Sequence, residues 1–412
     1  MKENKNPELH IVKPDETNNQ WDTLEQKRRE RQAFKRKEII LRSRKINLMK
    51  KTIFMIIAVI AIVVFGILYV TRSTYSTMKV LNEYKGKENK GGHYTELGNG
   101  ILKYSRDGAA YISVNGKEQW NVSYQMKTPS VAVQDGTAAV FDLSGKNISI
   151  FQKEGLIGEI NTELPIEKAA VSSQGIVSAI LKGDKLSKVV CYDTKGNLLA
   201  EHQTSPVSTG YPMDIDISDD GNILLVSYMK VDSSNITSEV AYYDFDTKKG
   251  EDKKINIKKD EYKNQIIPSV FFLEKDVSVA VMEDRLVFYK GSENQEVIKK
   301  VKFKDKISSV FHDDTYVGVV VKNKGNVEVQ LFNKKGKKIL SEPIKKEYKE
   351  CKIQDNQIIM YDGKSCEVIT RSGIHKFKGE SDKNILNLFP ISGFNKYLAA
   401  TSNGIEKVRF AK

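Results

Sequence analysis

Five histidines stand in the 412 residues, His10, His93, His202, His312 and His375, and no two are four apart or at any other spacing that presents a pair to a zinc ion. The one place where a histidine adjoins carboxylates is His312-Asp313-Asp314, which reads as a solvated loop. Asp214, Asp216, Ser218 and Asp220 imitate the alternating oxygens that open a calcium loop. The sixth position of that loop is Asp219, where the bend requires glycine, and the twelfth is Leu225, where a bidentate glutamate is required. Alternation of Met213, Ile215 and Ile217 makes the stretch a strand running into a turn instead. No G-x-S-x-G, no phosphate-cradling glycine loop and no serine-lysine signature occurs. These patterns predict no catalytic residue, no metal ligand set and no cofactor.

The elements that must carry any site are short and repeat. A turn signature recurs in which an aromatic or branched residue is followed by a short polar stretch and then glycine: Tyr111 to Gly116, Phe151 to Gly155, Tyr192 to Gly196, Tyr243 to Gly250, Phe288 to Gly291, Phe332 to Gly336 and Val368 to Gly373. Successive glycines are 39, 41, 54, 41, 45 and 37 residues apart. Glycine accepts positive φ at hairpin corners at little cost, so a repeated tight turn keeps returning to it. Around the second signature four strands can be traced, Ser130 to Val133, Thr137 to Asp142, Asn147 to Phe151 and Leu156 to Ile160. Four strands in about 40 residues is the blade of a β-propeller. The fold class is therefore all-β, a propeller of eight blades with seven as the alternative. The tail Ile385 to Lys412 supplies only three strands, and His93 to Leu97 is placed to complete that last blade. Lysines such as Lys253-Lys254, Lys299-Lys300, Lys302, Lys304 and Lys337-Lys338 fall on or beside fourth strands, where charge blocks edge-to-edge pairing. Cys351 on a first strand and Cys366 on the third of the same blade lie about 9 to 10 Å apart, beyond the roughly 7 Å reach of a disulfide.

The fourth period is the longest, partly through Lys230 to Ser238, which emerges on the face where Ser208 to Met213 comes in. Tyr211, Asp232 and Asn235 are the candidate binding residues there, because long loops on a rigid scaffold are where partners are held.

The Tyr192 to Gly196 turn, the Asp219-Asp220-Gly221-Asn222 turn before an apolar strand, and Gly116-Lys117-Glu118-Gln119-Trp120 resemble quinoprotein-type and WD40-like propeller blades. The whole layout resembles a family of uncharacterised bacterial single-span membrane proteins with a domain of unknown function. That resemblance implies architecture and location, with no activity attached. Quinone-dependent dehydrogenases of this shape are rich in tryptophan, whereas Trp120 is alone beyond residue 70.

Location follows from Ile53 to Val70, eighteen residues without a charge, thirteen of them Ile, Val, Leu or Phe. As a helix they span roughly 27 Å, and insertion is favoured by about 4 to 8 kcal/mol. Lys and Arg number twelve in residues 27 to 51 and five in residues 71 to 95, which keeps the amino terminus in the cytoplasm and sends the large part across. Residues 1 to 52 hold 15 basic and 8 acidic side chains, within a formal charge of +13 for the whole chain. Topology and anionic lipid account for that surplus, so nucleic acid is not an expected partner. The predicted organisation is a disordered tail (1–20), a basic juxtamembrane helix (21–52), the span (53–70), a stalk (71–92) and an extracytoplasmic propeller (93–412). The expected role is a non-catalytic binding or scaffolding module of the cell envelope, whose partners are the membrane and an envelope protein or polymer. One alternative is a sensor or assembly factor that couples an external ligand to a cytoplasmic partner. Another is an envelope hydrolase or oxidoreductase, which inward-facing carboxylates or histidines in the channel would favour.

Overall fold

A computed structural model describes residues 15–84, 91–232, 235–244, 256–291, 295–323 and 325–412. The chain divides into two units, Met1–Arg72 and Ser73–Lys412.

The first unit is one helix, Asp15–Arg72. Asp15 and Glu16 follow Pro14 and favour a helix start, and the long, proline-free, Leu-, Lys- and Arg-rich run behind them propagates it. Residues 15–20 therefore belong to the helix, against the expectation of disorder up to residue 20, while residues 1–14 lie outside the described ones. Among the described residues one helix is long and apolar enough to cross a membrane, and it is this one. Phe54, Ile62 and Phe65 are each more than 70% exposed.

In the second unit the described strands form eight four-stranded blades. Their innermost strands are His93–Leu97, Pro129–Gln134, Ile166–Val171, Tyr211–Ile217, Ser269–Glu274, Ile307–His312, Glu350–Gln354 and Ile385–Pro390. The middle strands of a blade are covered on both faces, so Thr137–Asp142 and Val277–Val281 are buried at every position instead of alternating. Outer strands are wet: Glu296–Lys302 exposes Lys299, Lys300 and Lys302, as the edge-protection argument requires, and Lys338 opens another outer strand. Lys253 and Lys254 lie outside the described residues. Of the signature glycines, Gly116, Gly155, Gly196, Gly291, Gly336 and Gly373 have positive φ, and Gly250 lies outside the described residues.

Eight apolar clusters sit between successive blades, and the last joins Phe389, Leu398 and Ile405 of blade 8 to Tyr94, Ile101 and Ile112 of blade 1. The ring is closed. The strand that completes blade 8, however, is Tyr75–Tyr84, taken from the segment expected to be a stalk. It pairs antiparallel with Gly404–Ala411 from Thr77↔Ala411 to Tyr84↔Ile405 and also meets the outer strand of blade 7 in parallel. His93–Leu97 is the innermost strand of blade 1, correcting the expectation that it closes the ring. The physical reason is positional: blade 8 lacks its outermost strand, and a strand buried at the channel cannot serve at the rim. Gly379 permits the close pass of this clasp, since a Cβ there would come within 2.1 Å of the Ser76 carbonyl oxygen.

Candidate functional site: the channel and the fourth-blade hairpin

Inner strands point alternate side chains at the central channel, and blade 4 sends two carboxylates that way from Tyr211–Ile217. Asp214 accepts the Ile215 N–H at 3.0 Å, the Val270 N–H at 2.9 Å and a charged bond from Lys168. Asp216 accepts the Ile217 N–H at 2.9 Å and the Phe272 N–H at 2.7 Å. Val270 and Phe272 belong to the inner strand of blade 5, so both carboxylates tie one blade to the next. Asn387 performs the same task at the closing seam, donating to the Tyr94 carbonyl at 2.9 Å while accepting the Leu388 N–H at 2.8 Å. Burial among the inner strands pushes the Asp216 carboxyl up to about 7, against the lowering by its two N–H donors, with Asp214 adding to the rise and Lys168 opposing it.

His312 ends the inner strand of blade 6 and lies flat on Phe271 of blade 5, ring centroids 3.8 Å apart and planes 2° from parallel. His312 is exposed, as a solvated position would be, but it belongs to a strand end and only Asp313 and Asp314 to the turn. Desolvation by its surroundings lowers its pKa to about 4. Lys352, on the inner strand of the next blade, sits 4.2 Å from the Phe389 ring, and desolvation lowers it to about 7 against the pull of Glu96 and Asp355. A cavity of about 510 Å³ runs along the channel between blades 2 and 6, touched by Gln134, Ala170, Asp216, Phe271 and His312.

Carboxylates and a histidine thus do face inward, the arrangement that would favour a hydrolase or oxidoreductase. Their bonds run to backbone N–H groups and Lys168, and no hydroxyl or thiol among the described residues bonds to His312. The bonds that Asp214, Asp216 and Asn387 make join neighbouring blades. Among the described residues no three His, Cys, Asp or Glu side chains form a group able to hold a metal ion.

The second candidate region is the blade 4 hairpin. Its middle strands, Ile223–Asp232 and Asn235–Asp244, pair out to Asp232↔Asn235, while Tyr211 pairs with Met229. Tyr211 therefore lies at the same end of the blade as Asp232 and Asn235, on the face expected for them. The chain reaches Tyr211 through Gly210, at φ 91°, where a Cβ would stand 2.8 Å from the Met229 carbonyl oxygen. Glu239, with its side chain 3% exposed, stiffens the hairpin by pairing with Lys230 at 3.2 Å and Lys259 at 2.7 Å. The sequence reading missed the apolar neighbours: Val207 is 92%, Val231 57% and Tyr211 50% exposed. Valines in polar loop stretches were the available signal.

Cys351 and Cys366 stand on the first and third strands of blade 7, with Met360 and Tyr361 of the second strand between them, and both are free.

The profile of Family of unknown function (DUF5711) matches residues 71–410. The chain belongs to that family. No curated protein matches. Among solved structures, BamB from Moraxella catarrhalis is 13% identical, with 82% of this chain and 99% of that chain covered at a TM-score of 0.49. Apo AztD from Citrobacter koseri is 10% identical, covering 71% of this chain and 86% of that one at a TM-score of 0.50. The Neurospora crassa Pan2 WD40 domain is 10% identical, covering 69% and 90% at 0.42. At these identities the likeness concerns the propeller fold.

Proposed function

We propose that the protein is a membrane-tethered, extracytoplasmic binding or scaffolding module of the cell envelope, without catalysis of its own. The observation that carries this reading is the exposed patch of Val207, Tyr211 and Val231 beside Asp232 and Asn235, mounted on a hairpin stiffened by the buried Glu239 carboxylate between Lys230 and Lys259. Exposed apolar side chains with polar neighbours on a rigid support are what a protein or polymer partner needs. The lysine and arginine imbalance around residues 53–70 supports a cytoplasmic amino terminus with the propeller outside.

Crosslinking in intact cells, followed by mass spectrometry of the attached partners, tests the proposal. Replacing Tyr211, Asp232 and Asn235 together by alanine should abolish capture of a partner seen with the wild type; undiminished capture refutes the hairpin site.

A second reading, coupling of an external ligand to a cytoplasmic partner, is favoured by one observation. Only Ser73 and Thr74 separate the long helix from the strand that clasps the ring. Deleting residues 1–35 should leave a scaffold working and silence a sensor.

A further inference from the structure

One mouth of the channel is ringed by carboxylates, in a chain with a formal surplus of thirteen positive charges. Turns that leave the inner strands surround one mouth of the channel and carry Asp135, Asp219, Asp276, Asp313, Asp314 and Asp355. Turns between third and fourth strands lie at the rim of the same face and carry more cations, Lys117, Lys153, Lys195, Lys334, Lys335 and Arg371, than carboxylates, Glu154 and Asp193. The face is thus an acidic hub inside a basic rim.

Three carboxylates near the mouth are already used: Asp220 pairs with Lys275 at 2.6 Å, Asp276 with Lys290 at 3.7 Å, and Asp313 accepts the Thr315 and Tyr316 N–H groups of its own turn at 2.9 and 2.7 Å. Asp135, Asp219 and Asp314 have no ion pair among the described residues, and one Asp219 carboxylate oxygen is buried without a hydrogen-bond partner. They are near enough that, after burial and Asp313, the charges of Asp135 and Asp219 raise the Asp314 pKa.

Behind this mouth is the cavity of about 510 Å³. Lys168 neutralises Asp214 there, whereas Asp216 has backbone N–H donors and no cation of its own. The Phe271–His312 stack offers an aromatic face beside it, and Ala132 and Ala170 leave room along the wall. An anion is repelled at such a mouth, whereas a cation beside Asp216 favours the charged form of that carboxyl. A metal ion lacks convergent donors among the described residues.

We propose that the channel binds an organic cation, an alkyl chain ending in an ammonium or guanidinium group. It enters between Asp135, Asp219 and Asp314 and sets its charge against Asp216, with its stem along the alanine walls and its head over the aromatic stack. The site lies at the opposite end of the strands from the Tyr211 hairpin, so either proposal can fail alone.

The test is calorimetric titration of the full chain in non-ionic detergent. Spermidine and the capped peptide acetyl-Gly-Arg-Gly-amide serve as probes, with N-acetylated spermidine and the citrulline peptide as controls of reduced or absent charge. At least one cationic probe should bind, more weakly at high salt, and its control should bind much less. Asp216→Asn should weaken binding about tenfold and Asp314→Asn about threefold, with Asp184→Asn in a turn on the opposite face unchanged. Binding of spermidine alone assigns the site to free polyamines; binding of the peptide alone assigns it to a basic chain segment. If Asp216→Asn fails to fold, Asp314→Asn and the cavity-filling Ala132→Leu decide. No binding of either cation, or binding that these folded variants leave intact, overturns the proposal.

Discussion

Asp216 and His312 give stability opposite slopes with pH. The Asp216 carboxyl, pushed up to about 7, keeps in the folded state a proton that the unfolded chain releases near 3.8, so its contribution is lost as pH rises between those values. His312, lowered to about 4, stays neutral while the unfolded chain is protonated below 6.5, so stability is lost as pH falls from 6.5 towards 4. Melting curves should therefore show a gentler acid-side loss in His312→Phe, which keeps the stack, and a gentler loss towards neutral pH in Asp216→Asn. Unchanged slopes in both variants would show that water in the channel solvates these groups. The buried thiols make a separate test. Cys191 is pushed up to about 12 by burial and Cys366 higher still, so a disulfide reagent should label neither in the native protein and both in urea. At this scale the sequence reveals little. Strand identity was legible at Cys351, Cys366 and Asp214, but the stacking of His312 on Phe271 joins residues 41 positions apart across two blades, and no local pattern encodes it.

Strands were the legible elements, because a glycine turn repeated about every 40 residues fixes where each pair of strands must reverse. The four strands traced in blade 2 match Pro129–Gln134, Thr137–Asp142, Asn147–Gln152 and Gly155–Asn161 to within one or two residues at their ends. The clasp was not legible. Tyr75–Tyr84 lies before the first signature, and its partners are far along the chain, so it carries the polar, partly exposed pattern of an outer strand without the turn that would announce one. Gly379→Val should drive the Ser76 carbonyl away and loosen this strand. Hydrogen exchange is expected to speed up in residues 75–84 while the middle strands of blades 2 to 6 stay protected. Phe377, fully buried and stacked 4.3 Å from Phe410, holds the same seam from inside. Phe377→Ala should cost about 3 to 5 kcal/mol in denaturant titration.

At the scale of the molecule, the blade array and the apolar helix were both predicted from pattern and composition, since each depends on many residues summed and tolerates errors in any one. The side of the membrane on which the ring works is a matter for experiment. Protease added to intact protoplasts should degrade the propeller if it lies outside; survival there, with digestion only after lysis, would reverse the proposed topology. Ring closure has one more consequence. Thr77 bonds to the Ala411 carbonyl at 3.0 Å across 334 positions, so Tyr75–Tyr84 finds its antiparallel partner only when Gly404–Ala411 has been made. Until Gly404–Ala411 has been made, that early strand has an unsatisfied edge, prone to pair with whatever it meets, and blade 8 cannot close. A folding helper that shields nascent edges would therefore affect this protein more than its ordinary apolar content suggests.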